Sequence, residues 1–259
     1  MRLPSTVLLT SALAIACLAL PVPARAADAA PPAAPAPAAA KAPEAADAPA
    51  VKLGKDGQPE KRFIGMHEGF LKRGADGPVG VLFLGDSITE GWGKAKDVWE
   101  AHYGAQQPAN FGIGGDRTQH VLWRIANGEL DHIAPKVVVL MIGTNNLGRN
   151  TPAEIAAADA KIVAEIHAKL PKTKVLLLAV FPRAASPTDG KRAEIATINA
   201  ALAKLDDGAA TRYLDFGKKF LAEDGTLPKD IMPDALHPNA KGYAIWADAM
   251  QPLLDEMLK

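Results

Sequence analysis

Five short blocks of uninterrupted apolar sequence constrain this chain more than any other feature. They are Val79–Leu84, Ala109–Ile113, Lys136–Ile142, Lys174–Val180 and the weaker Arg212–Phe216. A strand with one solvated face alternates apolar and polar residues. A strand covered on both faces has no need to, and a continuous apolar run is its signature.

Segments of helical pattern separate the blocks. Asp97–Tyr103 is short, and Arg117–Asn127 puts Val121, Leu122 and Ile125 on one face, with Asp116 as expected N-cap and Gly128 as C-cap. Thr151–Leu170 begins Thr-Pro-Ala-Glu, which places a capping threonine before Pro at the first helical position and Glu at the third. Asp189–Leu205 and Ala240–Leu258 complete the set, the last with a possible kink position at Pro252. Strand and helix alternate throughout, which predicts an α/β fold: a three-layer, doubly wound (flavodoxin-like) domain on a five-stranded parallel sheet.

That domain occupies residues 51–259. Before it, Arg2, the apolar run Val7–Leu20 and the small-x-small site Ala24-Arg25-Ala26 read as a signal peptide over residues 1–26, too short to span a bilayer. An exported protein, periplasmic or extracellular, is the expectation. Cys17 admits a lipoprotein alternative, but Ala14-Ile15-Ala16 lacks the usual leucine before it. Residues 27–50 hold 14 Ala and 6 Pro, with almost nothing to bury, and read as an extended linker or as low-complexity sequence without a role.

Cys17 is the only cysteine, so a mature chain would have no disulfide and must rely on its core. Residues 51–259 carry 26 basic and 26 acidic side chains, a balance that argues against nucleic acid as partner. They contain no second run long and apolar enough for a transmembrane segment.

In a doubly wound sheet, ligands bind at the carboxyl ends of the strands. The sequences there are Gly85-Asp86-Ser87, then "GIGGD" (Gly112–Asp116), "GTNN" (Gly143–Asn146) and, later, "PDALHPN" (Pro233–Asn239). Taken alone, Ser87 reads as a helix cap. As a nucleophile it needs a base, a group to orient the base, and donors for an oxyanion. Of the six histidines, only His132 and His237 have a carboxylate three residues earlier, in Glu129-x-x-His132 and Asp234-x-x-His237. The first pair precedes the third strand, on the edge opposite Ser87. The second follows the fifth, on the same edge, so it alone can reach Ser87.

Gly115 and Asn145, in two other loops of that edge, are the candidate oxyanion donors; individually, each could equally be a turn residue. "GIGGD" is not a dinucleotide loop, because Arg117 stands where a glycine is required. Asp234 and His237 have no His/Cys cluster beside them to complete a metal site. No metal or cofactor is expected. A non-catalytic carbohydrate-binding module on this fold is the other reading, disfavoured because every catalytic role has an intact candidate.

With these residues in place, the chain resembles the SGNH hydrolases, or GDSL esterases. That family draws its nucleophile from Gly-Asp-Ser, oxyanion donors from a Gly and an Asn, and its base from Asp-x-x-His. The resemblance places these roles on Ser87, Gly115, Asn145, Asp234 and His237, and implies the Ser87 N–H as a third donor. Ile88 departs from the leucine of Gly-Asp-Ser-Leu. Asn110–Val139 ("NFGIGGDRTQHVLWRIANGELDHIAPKVVV") is similar to the branch of platelet-activating-factor acetylhydrolase IB catalytic subunits and their bacterial relatives. Signal peptide and linker lie outside that intracellular pattern, which argues against carrying over its lipid-mediator substrate and regulatory partner. A homodimer is implied by the resemblance only.

The expected activity is a serine esterase releasing short acyl groups, acetate first, from a small sugar or lipid ester. A longer-chain lipase or thioesterase is the alternative. Ile88, Thr144 and Leu236, all bulkier than Gly or Ala and next to the catalytic positions, are expected to limit the acyl pocket, and Arg183 to face the leaving group.

Overall fold

Each apolar block forms a strand in a computed structural model that describes residues 44–259, four of them shorter than the apolar run and the second shifted back by one residue. The strands are β1 (Val81–Gly85), β2 (Pro108–Gly112), β3 (Val137–Met141), β4 (Lys174–Leu178) and β5 (Thr211–Leu214). All pair in parallel, in the order β2-β1-β3-β4-β5. The helices are α1 (Lys61–Ala75), α2 (Ser87–Glu90), α3 (Lys96–Tyr103), α4 (Thr118–Ala126), α5 (Pro152–Lys169), α6 (Gly190–Leu202) and α7 (Ala240–Leu258). None of the described helices is long and apolar enough to cross a membrane.

Successive strand side chains point to opposite faces, and both faces are covered. Leu82 and Leu84 of β1, with Val138 and Leu140 of β3, pack with α4, α5 and α6. Val81 and Phe83, with Val137 and Val139, pack with α3 and α7. Burying such a side chain stabilises by about 1.5–3 kcal/mol, so both registers of each central strand favour the fold. The expected α/β doubly wound architecture with a five-stranded parallel sheet is therefore what the chain adopts. β5, at the edge, is only half-buried beyond Thr211, which explains its weaker apolar signal.

The capping sequence of α5 behaves as read: Thr151 accepts from the Glu154 N–H at 3.3 Å, and Glu154 accepts from the Thr151 N–H at 2.7 Å. α7 runs through Pro252 without a break in the helix. Two local readings change. α4 is capped by Arg117, not Asp116, with the His120 ring accepting from the Arg117 N–H at 3.0 Å. Asp116 is drawn instead into a buried ion pair. Helix α1 was not anticipated, because its buried stripe of Phe63, His67 and Gly74 holds one large apolar residue.

The linker boundary also moves. Residues 44–50, expected to belong to the linker, lie against the domain. Ala46 is buried and its carbonyl accepts from the Thr118 hydroxyl at 2.7 Å. The Ala50 N–H donates to the Gln119 carbonyl at 3.1 Å, and the Glu44 carboxylate accepts from Arg117 at 2.8 Å. Composition hid this, since the contacts are made by backbone and one acidic side chain rather than by an apolar run. The signal-peptide expectation and the linker before residue 44 lie outside the described residues.

Candidate active site

The chain leaves β1 toward β2 on one side and enters β3 on the other, so the loops after β1 and β3 diverge and open a crevice. Ser87 stands at that point as the first residue of α2. The strand-to-helix turn is tight. A Cβ on Gly85 would lie 2.3 Å from the Met141 carbonyl oxygen, and one on Gly112 would lie 2.2 Å from the Glu90 nitrogen. The cap of α2 is Asp86, whose carboxylate accepts from the Ile88 N–H at 2.9 Å. The Ser87 hydroxyl is thus free of capping duty.

That hydroxyl meets the second arm of the site. Ser87 Oγ lies 2.9 Å from His237 Nε2, and His237 Nδ1 lies 2.6 Å from Asp234 Oδ2. An ionised carboxylate only accepts, so Nδ1 carries the proton and donates to it, leaving Nε2 to accept from the serine. Asp234 Oδ1 accepts from the N–H groups of Leu236 at 3.1 Å and His237 at 2.8 Å. The chain closes around the carboxylate through Ala235 in the left-handed region, φ 57°. A side chain there costs about 1–2 kcal/mol, a local strain held by the Ala235 carbonyl accepting from the Ala184 N–H at 2.9 Å. Partial burial raises the Asp234 carboxyl, but the His237 ring and backbone donors outweigh it and hold it at about 2.

Gly115 adopts φ 76°, where an L side chain is strained. It is exposed, and its N–H donates to no protein acceptor among the described residues. Ser87, as first residue of its helix, has no intrahelical acceptor for its own N–H. A Cβ built on the adjoining Gly114 would lie 3.7 Å from Ser87 Cβ, so this loop runs alongside the serine. The Asn145 amide donates to the Asp116 carbonyl at 2.8 Å and, more weakly, to Asp86 Oδ2 at 3.3 Å. Its second hydrogen is therefore available only in competition with Asp86.

Beneath these groups lies a layer of buried charge. Asp86, Asp116 and Asp159 are all fully buried. Burial raises Asp86 to about 7, with the Asp116 charge adding to it and the Ile88 N–H and Arg183 opposing. Burial likewise raises Asp116 to about 7 against Arg124 and Lys52, and raises Asp159 well above the carboxylate range. Arg124, also buried, donates from Nε to Asp116 at 3.0 Å, from Nη2 to the Gly85 carbonyl at 3.3 Å, and from Nη1 to Glu129. Glu129 is thus a counter-ion inside the fold and His132 an exposed residue, in keeping with their exclusion from the site.

The four residues expected to contact substrate have other partners in the fold. Ile88 is buried in the core on the α7 side of the sheet, because successive side chains of helix α2 step about 100° round its axis and carry it away from the serine. Thr144 is buried, and its carbonyl and hydroxyl accept from Arg183 Nη1 at 2.9 and 3.2 Å. Arg183 is therefore committed to the loop after β3. Leu236 is half-buried against the same core as Ile88. The cleft at Ser87 and His237, about 310 Å³, is lined instead by Glu90, Gly91, Gly93 and Lys94. Glu90 and Gly93 also line a larger cleft of about 620 Å³ that extends to Phe70, Trp99 and Phe111. No motif singled these residues out; the helical turn after Ser87 brings them round.

Residues 83–245 match the model of the GDSL-like lipase/acylhydrolase family. The chain is 34% identical over 204 residues to platelet-activating factor acetylhydrolase IB subunit alpha1 of Pongo abelii, covering 79% of this chain and 87% of that one. It is 35% identical over 206 residues to subunit alpha2 of Rattus norvegicus, covering 79% and 89%. Among solved structures, a GDSL-like lipase from Bacteroides thetaiotaomicron shares the fold with a TM-score of 0.62 at 22% identity, covering 73% of this chain and 97% of that one.

Proposed function

The chain belongs to the GDSL-like lipase/acylhydrolase family and is a carboxylic ester hydrolase, and from that premise we propose that it is an exported serine esterase that removes short acyl groups, acetate foremost, through Ser87, His237 and Asp234. The hydrogen-bonded relay from Ser87 Oγ through the His237 ring to Asp234 is the observation that carries this reading. His237 Nε2 takes the hydroxyl proton as Ser87 Oγ attacks the ester carbonyl carbon. The carbonyl oxygen gains the negative charge and is held by the N–H groups of Ser87 and Gly115 and by the Asn145 amide, which exchanges its weak contact with Asp86 for it. His237 returns the proton to the departing alcohol. Water, deprotonated by the same imidazole, then releases the carboxylic acid from the acyl-serine.

Asp234 supports the cycle because its low pKa keeps it ionised, so it can stabilise the imidazolium of each step. Short-acyl preference is supported by the relatives named as acetylhydrolases and by the modest cleft at Ser87. Export is supported by Arg2, Val7–Leu20 and Ala24-Arg25-Ala26. The adjoining aromatic cleft favours the alternative, a longer-chain acylhydrolase. A chain-length series separates the two. Wild type should hydrolyse p-nitrophenyl acetate far faster than the octanoate, and Ser87→Ala neither. Equal or reversed preference would remove the short-acyl claim, and an active Ser87→Ala variant would remove the mechanism.

A further inference from the structure

The oxyanion loop is gripped from outside the motifs that define the site. Lys52 lies before residues 83–245, the span that matches the family model. Its segment is a closed loop: the Glu60 N–H donates to the Lys52 carbonyl at 2.8 Å, and Leu53 bridges Pro59. From there the Lys52 ammonium donates to the Gly114 carbonyl oxygen at 2.5 Å, with Glu60 at 3.2 Å and buried Asp116 at 3.8 Å. On the other side of Gly114, its N–H donates to Glu90 Oε2 at 2.7 Å, and Glu90 Oε1 accepts from Arg62 at 2.5 Å.

The bond to the Gly114 carbonyl matters because that oxygen belongs to the same peptide unit as the Gly115 N–H. In a planar trans peptide the two point in opposite directions, so holding the oxygen aims the hydrogen. With glycine on both sides, this peptide has little intrinsic bias against flipping. A flipped peptide would turn the Gly114 oxygen toward the developing oxyanion and deprive the ammonium of its acceptor. A carbonyl accepting from a cation also makes its own N–H a better donor, by about 10–30% per bond.

Resting on the esterase reading above, we propose that Lys52 is a positioning residue, whose ammonium fixes and polarises the Gly114–Gly115 peptide so that the Gly115 N–H serves the oxyanion. The test uses the full chain and p-nitrophenyl acetate. Lys52→Met should lower kcat about 10- to 100-fold, somewhat less than outright loss of an oxyanion donor, with KM within about twofold. Lys52→Cys should be equally impaired, and alkylation with 2-bromoethylamine, which rebuilds an ammonium at nearly the same reach, should restore most of kcat. Wild type, which carries Cys17, receives the same treatment as control.

Lys161→Met removes a different contact to this N-terminal segment, Lys161 to the Asp47 carbonyl at 2.9 Å, and should leave kcat unchanged. Unaltered kcat in Lys52→Met, no recovery on alkylation, or an equal loss in Lys161→Met would each overturn the assignment. An active Ser87→Ala variant would instead overturn the esterase reading on which it rests.

Discussion

Two groups of carboxylates flank Ser87, and water treats them differently. Asp234 is 57% exposed in its side chain and held at about 2, whereas Asp86, Asp116 and Asp159 are sealed beneath the loops and pushed upward. The exposed carboxylate keeps its charge at little desolvation cost and has three hydrogen-bond contacts, all from its own turn. Of the buried ones, Asp116 shares the Arg124 guanidinium with Glu129, Asp86 accepts from the Ile88 N–H and the Asn145 amide, and Asp159 has no hydrogen-bond partner among the described residues. In the proposed mechanism, the group that must stay ionised to steady an imidazolium sits at the rim. Groups that hold loops in register can be buried, and they make the scaffold costly and position-specific.

The sharpest way to break this contrast is Asp234→Asn. Loss of the orienting charge should lower kcat about 10⁴-fold while the thermal midpoint stays within about 2 °C, because the residue is at the surface. A loss under tenfold would mean that the rim carboxylate is not the orienting group. Next in size is Arg124→Met, which strands Asp116 and Glu129 without their cation. Stability should fall by about 3–5 kcal/mol in urea unfolding, less at pH 5 than at pH 8 because Asp116 can then accept a proton. An unchanged midpoint at pH 8 would show that the buried layer does not depend on this ion pair.

The smallest effect sharpens the comparison by its sign. Neither oxygen of Asp159 has a hydrogen-bond partner among the described residues, and burial raises its pKa in the fold. Above the unfolded value of about 4, the folded chain holds a proton that the unfolded chain releases, so wild type loses stability as pH rises. Asp159→Asn should therefore gain about 1–2 kcal/mol over wild type at pH 5, about one unit above the unfolded value, and more at higher pH. A gain that shrank with rising pH, measured by urea unfolding, would contradict the raised pKa.

Much of this was legible in the chain. Continuous apolar blocks require a sheet covered on both faces, and one such requirement repeated five times leaves few architectures. The choice of His237 over His132 also followed, because alternating strands and helices assign each loop to one edge. Thr151 and Glu154 capped their helix as read because capping is local. Helix α1 escaped notice for the converse reason, since its stripe is defined by the aromatic residues of α4 that it packs against, Trp123 foremost.

What the sequence by itself determined is the layered α/β fold, the edge that carries the candidate site, and the residues Ser87, His237 and Asp234 that meet there. These follow from periodicity and chain order, which need no knowledge of distance. Tertiary structure alone decided that Asp86 rather than Ser87 caps α2, that Asp116 turns inward, that Ile88 faces the core and that Arg183 is tied to Thr144. It also decided that Lys52 reaches the Gly114 carbonyl across 62 positions of sequence. The physical reason is non-local partnering: a polar or charged side chain takes the partner that folding puts within about 3 Å, as Ile88 takes the apolar core that folding builds beside it, and no local pattern records which that will be.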